Sequence, residues 1–202
     1  MKTMYASIVA ALALACALPA QAAPIPYANP GVESTISYSF TAASTGNVVA
    51  YFAGSSAGYT NEIALLVNGI DTGIRGLNNQ TSAYGDMLDF GAVNAGDSLV
   101  FKLINLNPAN VGPFYSDIAL NGDGRNHIYA ANYGGDAFIP AGIAVGFEDL
   151  LNGGDFDYND ENFVFVNVAN VTDVPEPASI ALLLAGVAGI GASRRTKRAR
   201  KA

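Results

Sequence analysis

The sequence predicts an all-β domain, an antiparallel β-sandwich of jelly-roll-like kind, with an N-terminal signal helix before it and a C-terminal transmembrane helix after it. Three observations lead there. Between residues 23 and 172 apolar residues either alternate with polar ones or form short runs, the patterns of half-buried and buried strands. Turn-forming clusters recur between them, at Asn68-Gly69, Thr72-Gly73, Asn121-Gly122-Asp123-Gly124, Gly134-Gly135 and Gly153-Gly154. No segment outside the two termini spaces its apolar residues as a helix does, which leaves sheets stacked around a core.

The elements follow in chain order. Ile36 to Thr41 alternates apolar and hydroxylated residues, the pattern of a strand with one wet face. Val48 to Ala53 and Ile63 to Val67 are apolar runs, and the second meets Asn68-Gly69, a two-residue hairpin signal, before continuing from Ile70. Ser98 to Leu106 places Leu99, Phe101 and Leu103 on one face and Val100, Lys102 and Ile104 on the other. Ile128 to Ala131, Ile143 to Phe147 and Phe163 to Val168 complete the set, and Asn170 to Asp173 reads as a short linker. Within the last strand Phe163-Val164-Phe165-Val166 is apolar on both faces, so it belongs inside a sheet and not at its edge.

Charge narrows the partners. Residues 23 to 173 hold three basic side chains, Arg75, Lys102 and Arg125, against sixteen acidic ones, a net charge of −13. Such a domain repels nucleic acid and anionic lipid, which argues against both as partners, and draws divalent cations such as calcium. Cys16 is the sole cysteine and falls in the leader, so thiol chemistry is not available to the domain.

The termini speak of export. Residues 1–22 read as a signal peptide: Lys2, an apolar stretch from Ala6 to Leu18, and Ala20-Gln21-Ala22, a small-x-small pattern with the cut placed after Ala22. Residues 173–202 form a three-part tail, with Val174-Pro175-Glu176-Pro177, an apolar span at 178–193, and a basic stop at 194–201 carrying Arg194, Arg195, Lys197, Arg198, Arg200 and Lys201. As a helix the span covers roughly 25 Å against a hydrocarbon core near 30 Å, and the basic end fixes it on the cytoplasmic side. This tail resembles the PEP-CTERM sorting signal of exopolysaccharide-producing Gram-negative bacteria. The resemblance implies an exosortase as partner, a membrane transpeptidase that removes the span. It implies passage across the inner membrane with a transient C-terminal anchor, a cell-surface or extracellular destination, and exopolysaccharide as a further partner.

Candidate chemistry is concentrated between Phe147 and Phe165, where six carboxylates, Glu148, Asp149, Asp155, Asp157, Asp160 and Glu161, crowd one stretch. Like charges this close require solvent or a cation between them. Asp155, Asp157 and Asn159 at alternate positions offer oxygen ligands as calcium loops do, with Asp160, Glu148 and Asp149 within reach. An EF-hand is excluded, because Asp160 stands where its glycine belongs and no helix flanks the loop. The competing reading is a set of Asx-turns in a Gly-rich loop. Phe147-Glu148-Asp149-Leu150 followed by Gly153-Gly154-Asp155-Phe156-Asp157-Tyr158-Asn159-Asp160 resembles the signature of a secreted bacterial domain of unknown function, which implies a β-sandwich and no established activity.

Asn121 to His127 reads as a plain turn, and His127, the lone histidine, as packing. The sequence shows no nucleophile elbow, zinc motif or phosphate loop, so no catalytic residue is expected. The leading expectation is a non-enzymatic surface or matrix protein that binds calcium, polysaccharide or both. A secreted carbohydrate-active hydrolase, which would use a pair of these carboxylates, and an ice-binding protein are the alternatives.

Overall fold

The computed structural model describes residues 26–109 and 111–172. The signal-cleavage positions Ala20 and Ala22, the sorting residues Val174, Pro175, Glu176 and Pro177, and the span and basic stop that follow lie outside the described residues. Among the described residues no helix is long and apolar enough to cross a membrane.

Eleven strands form two antiparallel sheets: β1 (Tyr38–Ala42), β2 (Gly46–Ser55), β3 (Thr60–Val67), β4 (Ile70–Gly76), β5 (Met87–Val93), β6 (Ser98–Asn107), β7 (Phe114–Tyr115), β8 (Ile128–Tyr133), β9 (Gly142–Phe147), β10 (Glu161–Val166) and β11 (Val168–Thr172). The first sheet runs β11-β1-β6-β3-β4, with β7 also beside β6. The second runs β5-β2-β10-β9-β8. Their inner faces share one core, in which Phe101 of β6 stacks on Phe165 of β10 with ring centroids 3.7 Å apart. This is the arrangement of a β-sandwich.

Most of the sequence reading holds. The Asn68-Gly69 hairpin forms between β3 and β4, with φ of 51° and 79° at its two residues, both left-handed as a two-residue turn demands. Leu99, Phe101 and Leu103 are buried together while Val100, Lys102 and Ile104 are only half-buried. β10 lies between β2 and β9, inside its sheet, with both faces covered.

Three strands escape that reading. β5 carries Asp89 and Gly91 in its middle, which interrupts the apolar pattern, and it sits at a sheet edge where one side needs no partner. β7 is two residues long. β11 occupies most of the stretch read as a linker, and the strand read through to Val168 instead breaks at Asn167, whose φ is 65°. The break has a cause. At Asn167 the chain leaves one sheet for the other, and its side chain pins the crossing: Oδ1 accepts from Ser44 N at 2.9 Å and from Ser44 Oγ at 2.8 Å, while Nδ2 donates to Ser44 O at 3.0 Å. β1–β2 and β10–β11 thus make one antiparallel ribbon bent across both sheets, a jelly-roll-like element, whereas β8, β9 and β10 are a plain meander.

The registers define the two ends of the sandwich. At one end lie Glu161 opposite both Phe147 and Ser55, Ile128 opposite Phe147, and Thr60 opposite Asn107, while β1 and β11 stop short of it, since Phe40 opposite Leu99 sets Tyr38 and its partner Thr172 level with Phe101. The Asn167 corner, the Asn68-Gly69 turn and the Asn94–Asp97 turn lie at the other. The acidic loop that joins β9 to β10 therefore caps the first end.

Truncating Phe165 removes the ring that couples the sheets. Phe165→Ala should cost roughly 3–5 kcal/mol and lower the melting midpoint on the order of 10 °C. A midpoint within about a degree of the parent would show that the stacked pair carries little of the core.

Candidate metal centre

The acidic loop begins where the core turns polar. Along β3, Asn61 shares its face with Ile63 and Leu65; along β6, Asn105 follows Leu99, Phe101 and Leu103; along β10, Glu161 precedes Phe163 and Phe165. All three polar side chains therefore point inward at the same end and are buried. Asn61 Nδ2 donates to Glu161 Oε1 at 3.0 Å and to Asp149 Oδ2 at 2.7 Å, and Asn105 Nδ2 donates to the Asp149 carbonyl at 3.1 Å. Ser55 Oγ adds a bond to Glu161 Oε1 at 3.3 Å. Asp160 Oδ2 accepts from Asp149 N at 3.0 Å.

From this plug the loop coils tightly. Asn152, Phe156 and Tyr158 have φ of 66°, 52° and 55°, left-handed values that each cost a non-glycine residue about 1–3 kcal/mol and persist only where surroundings impose them. Here Tyr158 is the imposed point. Its buried hydroxyl accepts from Ser34 N at 2.8 Å and donates to the Asn126 carbonyl at 3.3 Å, and its amide donates to Glu148 Oε1 at 2.5 Å. Gly146 on β9 admits the loop, since a Cβ there would collide with the Tyr158 main-chain oxygen. Gly154 makes room for Glu148, because its Cβ would fall 2.7 Å from Glu148 Oε2.

His127 holds the loop from beneath. It is fully buried, stacked on Phe114 at 3.9 Å, with Nδ1 3.1 Å from the Glu148 carbonyl and Nε2 2.9 Å from Asp123 Oδ2. Both ring nitrogens thus lie within hydrogen-bond distance of oxygens, which fixes the ring's orientation. The same Asp123 oxygen accepts from Asn152 N at 2.7 Å, so the plain turn expected at residues 121–127 also tethers the loop. His127 is packing, as read from the sequence, and a positioning residue besides.

The six residues named as candidate ligands separate into two groups. Glu148, Asp155 and Asp157 each bring a carboxylate oxygen to one point, all within 4.8 Å of one another. Glu148 has no exposed surface, Asp157 is half-buried and Asp155 is exposed, so the point lies at the rim of the domain. Asn159 belongs to this group indirectly: its amide nitrogens, main-chain and side-chain, both donate to Asp157. Asp149 turns toward Asn61 and Asp160 braces the Asp149 amide, so these two hold the loop's base. Glu161, counted among the acidic residues but not among the ligands, is as buried as Glu148. Its face along β10 was the signal that could have placed it.

Electrostatics follow burial. Loss of solvent drives Glu148 up to about 8, and the nearby Asp160, Asp155 and Asp157 push the same way against the Tyr158 amide. Desolvation raises Glu161 to about 9 and Asp160 to about 7, in each case outweighing the donated hydrogen bonds, and it raises Asp149 and Asp157 as well. Glu148 Oε2 and Glu161 Oε2 are buried without a hydrogen-bond donor among the described residues. An oxygen of this kind costs about 1–3 kcal/mol or more when ionised unless a proton or a cation meets it. Glu148 belongs to the three-carboxylate group, so a hard divalent cation fits there.

Two surface clefts lie away from this end of the loop. One is lined by Tyr38, Phe40, Leu99, Ser116 and Asp117, and the other by Ala64, Asp71, Arg75 and Lys102 on the outer face of the first sheet.

Comparison with known proteins gives two matches. A family model described as a domain of unknown function (DUF4114) matches residues 56–167, more than half of the chain, and one described as the PEP-CTERM protein-sorting motif matches residues 173–198. No curated protein and no solved structure matches the chain.

The raised acids set a pH dependence for the cation-free protein. Glu161 has a folded value of about 9 against an ordinary 4.5, so the folded chain holds its proton more tightly than the unfolded one. Stability from this source is complete below the ordinary value and is lost as pH rises toward the folded value. In chelator the melting temperature should fall between about pH 5 and about pH 9, and Glu161→Gln, which keeps the Asn61 contact but cannot ionise, should flatten the fall. An unchanged slope in that variant would remove Glu161 as its source.

Proposed function

The chain belongs to the family of the domain of unknown function DUF4114, and we propose that its domain is a non-enzymatic surface module built around a calcium ion. The PEP-CTERM motif marks it as an exported protein sorted by an exosortase, destined for the cell surface or the extracellular space. There calcium is abundant, and the domain's acidic balance favours its binding.

One observation carries the calcium reading: buried Glu148, one oxygen of which has no hydrogen-bond donor among the described residues, shares a three-carboxylate group with Asp155 and Asp157. The donor set is all oxygen, with neither sulfur nor imidazole, which suits calcium over zinc or copper. Three carboxylates at the rim leave coordination positions for main-chain oxygens and water, in keeping with the six to eight ligands that calcium takes. The ion would replace the proton that burial otherwise forces onto Glu148. Its absence leaves several like charges facing one another across a loop already coiled through left-handed residues.

The hydrolase alternative has less support. A glycosidase pair needs two carboxylates facing a substrate-sized cleft. Glu148 and Glu161 have no exposed surface, and the clefts described above are lined by other residues.

Calcium at a hundredfold excess over its Kd should stabilise the domain by about 2.7 kcal/mol, read as a raised melting point that chelator reverses. Asp157→Asn should abolish most of that response. In chelator the variant should be at least as stable as the parent, since one repelling charge is gone. A full calcium response in Asp157→Asn would remove Asp157 from the site. For sorting, mass spectrometry of exported protein should find no peptides beyond about residue 178, and Glu176→Ala should retain the tail. Recovery of Arg194 to Lys201 on exported protein would contradict removal of the tail.

A further inference from the structure

We infer that the end of the sandwich carrying the acidic loop is a calcium-dependent docking surface for an anionic phospholipid membrane. The inference rests on the calcium reading above and extends it to a partner.

Topology supplies the first ground. Thr172, the last residue of β11, pairs with Tyr38, and the sorting sequence begins at residue 173 with no linker between. The segment leading into Tyr38 is bonded to the acidic loop and, beside it, to the turn before β8. Gly31 N donates to the Asp155 carbonyl at 2.9 Å, Ser34 N donates to the Tyr158 hydroxyl at 2.8 Å, and the Ile36 carbonyl accepts from Asn126 Nδ2 at 3.1 Å. β11 thus runs toward the end that bears the acidic loop and stops level with Phe101, where the sorting sequence takes over. A chain held in the bilayer by the apolar run after residue 177 carries this end next to the headgroups.

The second ground is what that end exposes. Leu150 and Leu151 stand at the start of the acidic loop, 38% and 54% exposed, and Val32 beside Asp155 is 60% exposed. Ile36 is 42% exposed on the same segment. Large apolar side chains at the tip of an acidic loop find no use in water. At a membrane interface they bury in the headgroup and acyl boundary.

Charge decides when they can do so. Without a cation the loop's carboxylates are repelled by an anionic lipid surface. Arg125, a basic residue at this end, is already paired with Glu33 at 2.9 Å and does not offset them. A calcium ion held at the rim by Glu148, Asp155 and Asp157 reverses the local sign and presents open coordination positions to phosphate oxygens. The exposed leucines then add apolar burial to the ionic bridge.

The test uses the full-length chain with Cys16→Ser, reconstituted into vesicles of phosphatidylglycerol and phosphatidylethanolamine. A fluorophore is placed at the acidic end through Ser56→Cys or at the opposite end through Ala95→Cys, and the lipids carry a headgroup quencher. Calcium should increase quenching several-fold at position 56 and leave position 95 unchanged, with no calcium effect in vesicles of phosphatidylcholine alone. The double variant Leu150→Ser and Leu151→Ser should lose the quenching and keep the calcium-raised melting point. Calcium that raises the melting point without changing quenching at position 56 overturns docking and leaves the calcium reading standing. Calcium-dependent capture of an acidic polysaccharide in place of that quenching also overturns it. A melting point indifferent to calcium overturns the calcium reading and docking together.

Discussion

Two carboxylates with no exposed surface and no basic partner among the described residues, Glu148 and Glu161, set the terms for this structure. A buried ionised carboxylate is among the costliest groups that a fold can hold, and it is held only when neutralised or met by a counter-ion. The two meet that demand differently. Glu161 is wrapped by amide and hydroxyl donors and belongs to the base of the loop. Glu148 accepts the Tyr158 amide on one oxygen, has no donor on the other, and is grouped with Asp155 and Asp157. The first arrangement favours a proton and the second a cation, and the division runs along the neighbouring strands β9 and β10.

The scaffold explains why the loop can bear this. Its two feet, Phe147 and Glu161, face each other across adjacent inner strands. Strands with both faces covered have little freedom, so the loop's ends are fixed to the core. Tyr158 and His127 then lock its middle, one by hydrogen bonds to the chain before β1 and one by contacts to Asp123 and the Glu148 carbonyl. Left-handed residues at 152, 156 and 158 are the cost of drawing so many oxygens inward.

Much of this was legible from residue patterns, and the failures share a cause. The hairpin at Asn68-Gly69, the inward faces of β6 and the interior place of β10 follow from local periodicity and turn chemistry. The acidic loop was legible as a charge cluster. What local pattern does not carry is which partner a residue meets across the sandwich. Asn61 and Asp149 are far apart in sequence and join only because β3 and β9 end together. The corner at Asn167 is similar: nothing in Val166-Asn167-Val168 marks a change of sheet, since the information resides in Ser44 on the strand pair opposite. Edge strands such as β5 escape because a single covered side tolerates Asp89 and Gly91. Parity along the strands does carry one such fact, since it turns Asn61, Asn105 and Glu161 to the same inward face as their apolar neighbours.

The pairing of Tyr38 with Thr172 has a consequence beyond this chain. The domain's first and last strands lie side by side in one sheet, so the chain enters and leaves through neighbouring points. A unit of this kind, carried together with the segment before β1 that binds the acidic loop, suits insertion into a surface loop of another protein. The end bearing Asn68-Gly69 and Asn94 to Asp97 would then project outward from the host, free to carry sequence changes that the core never feels. Strand adjacency thereby makes the fold a transplantable cassette.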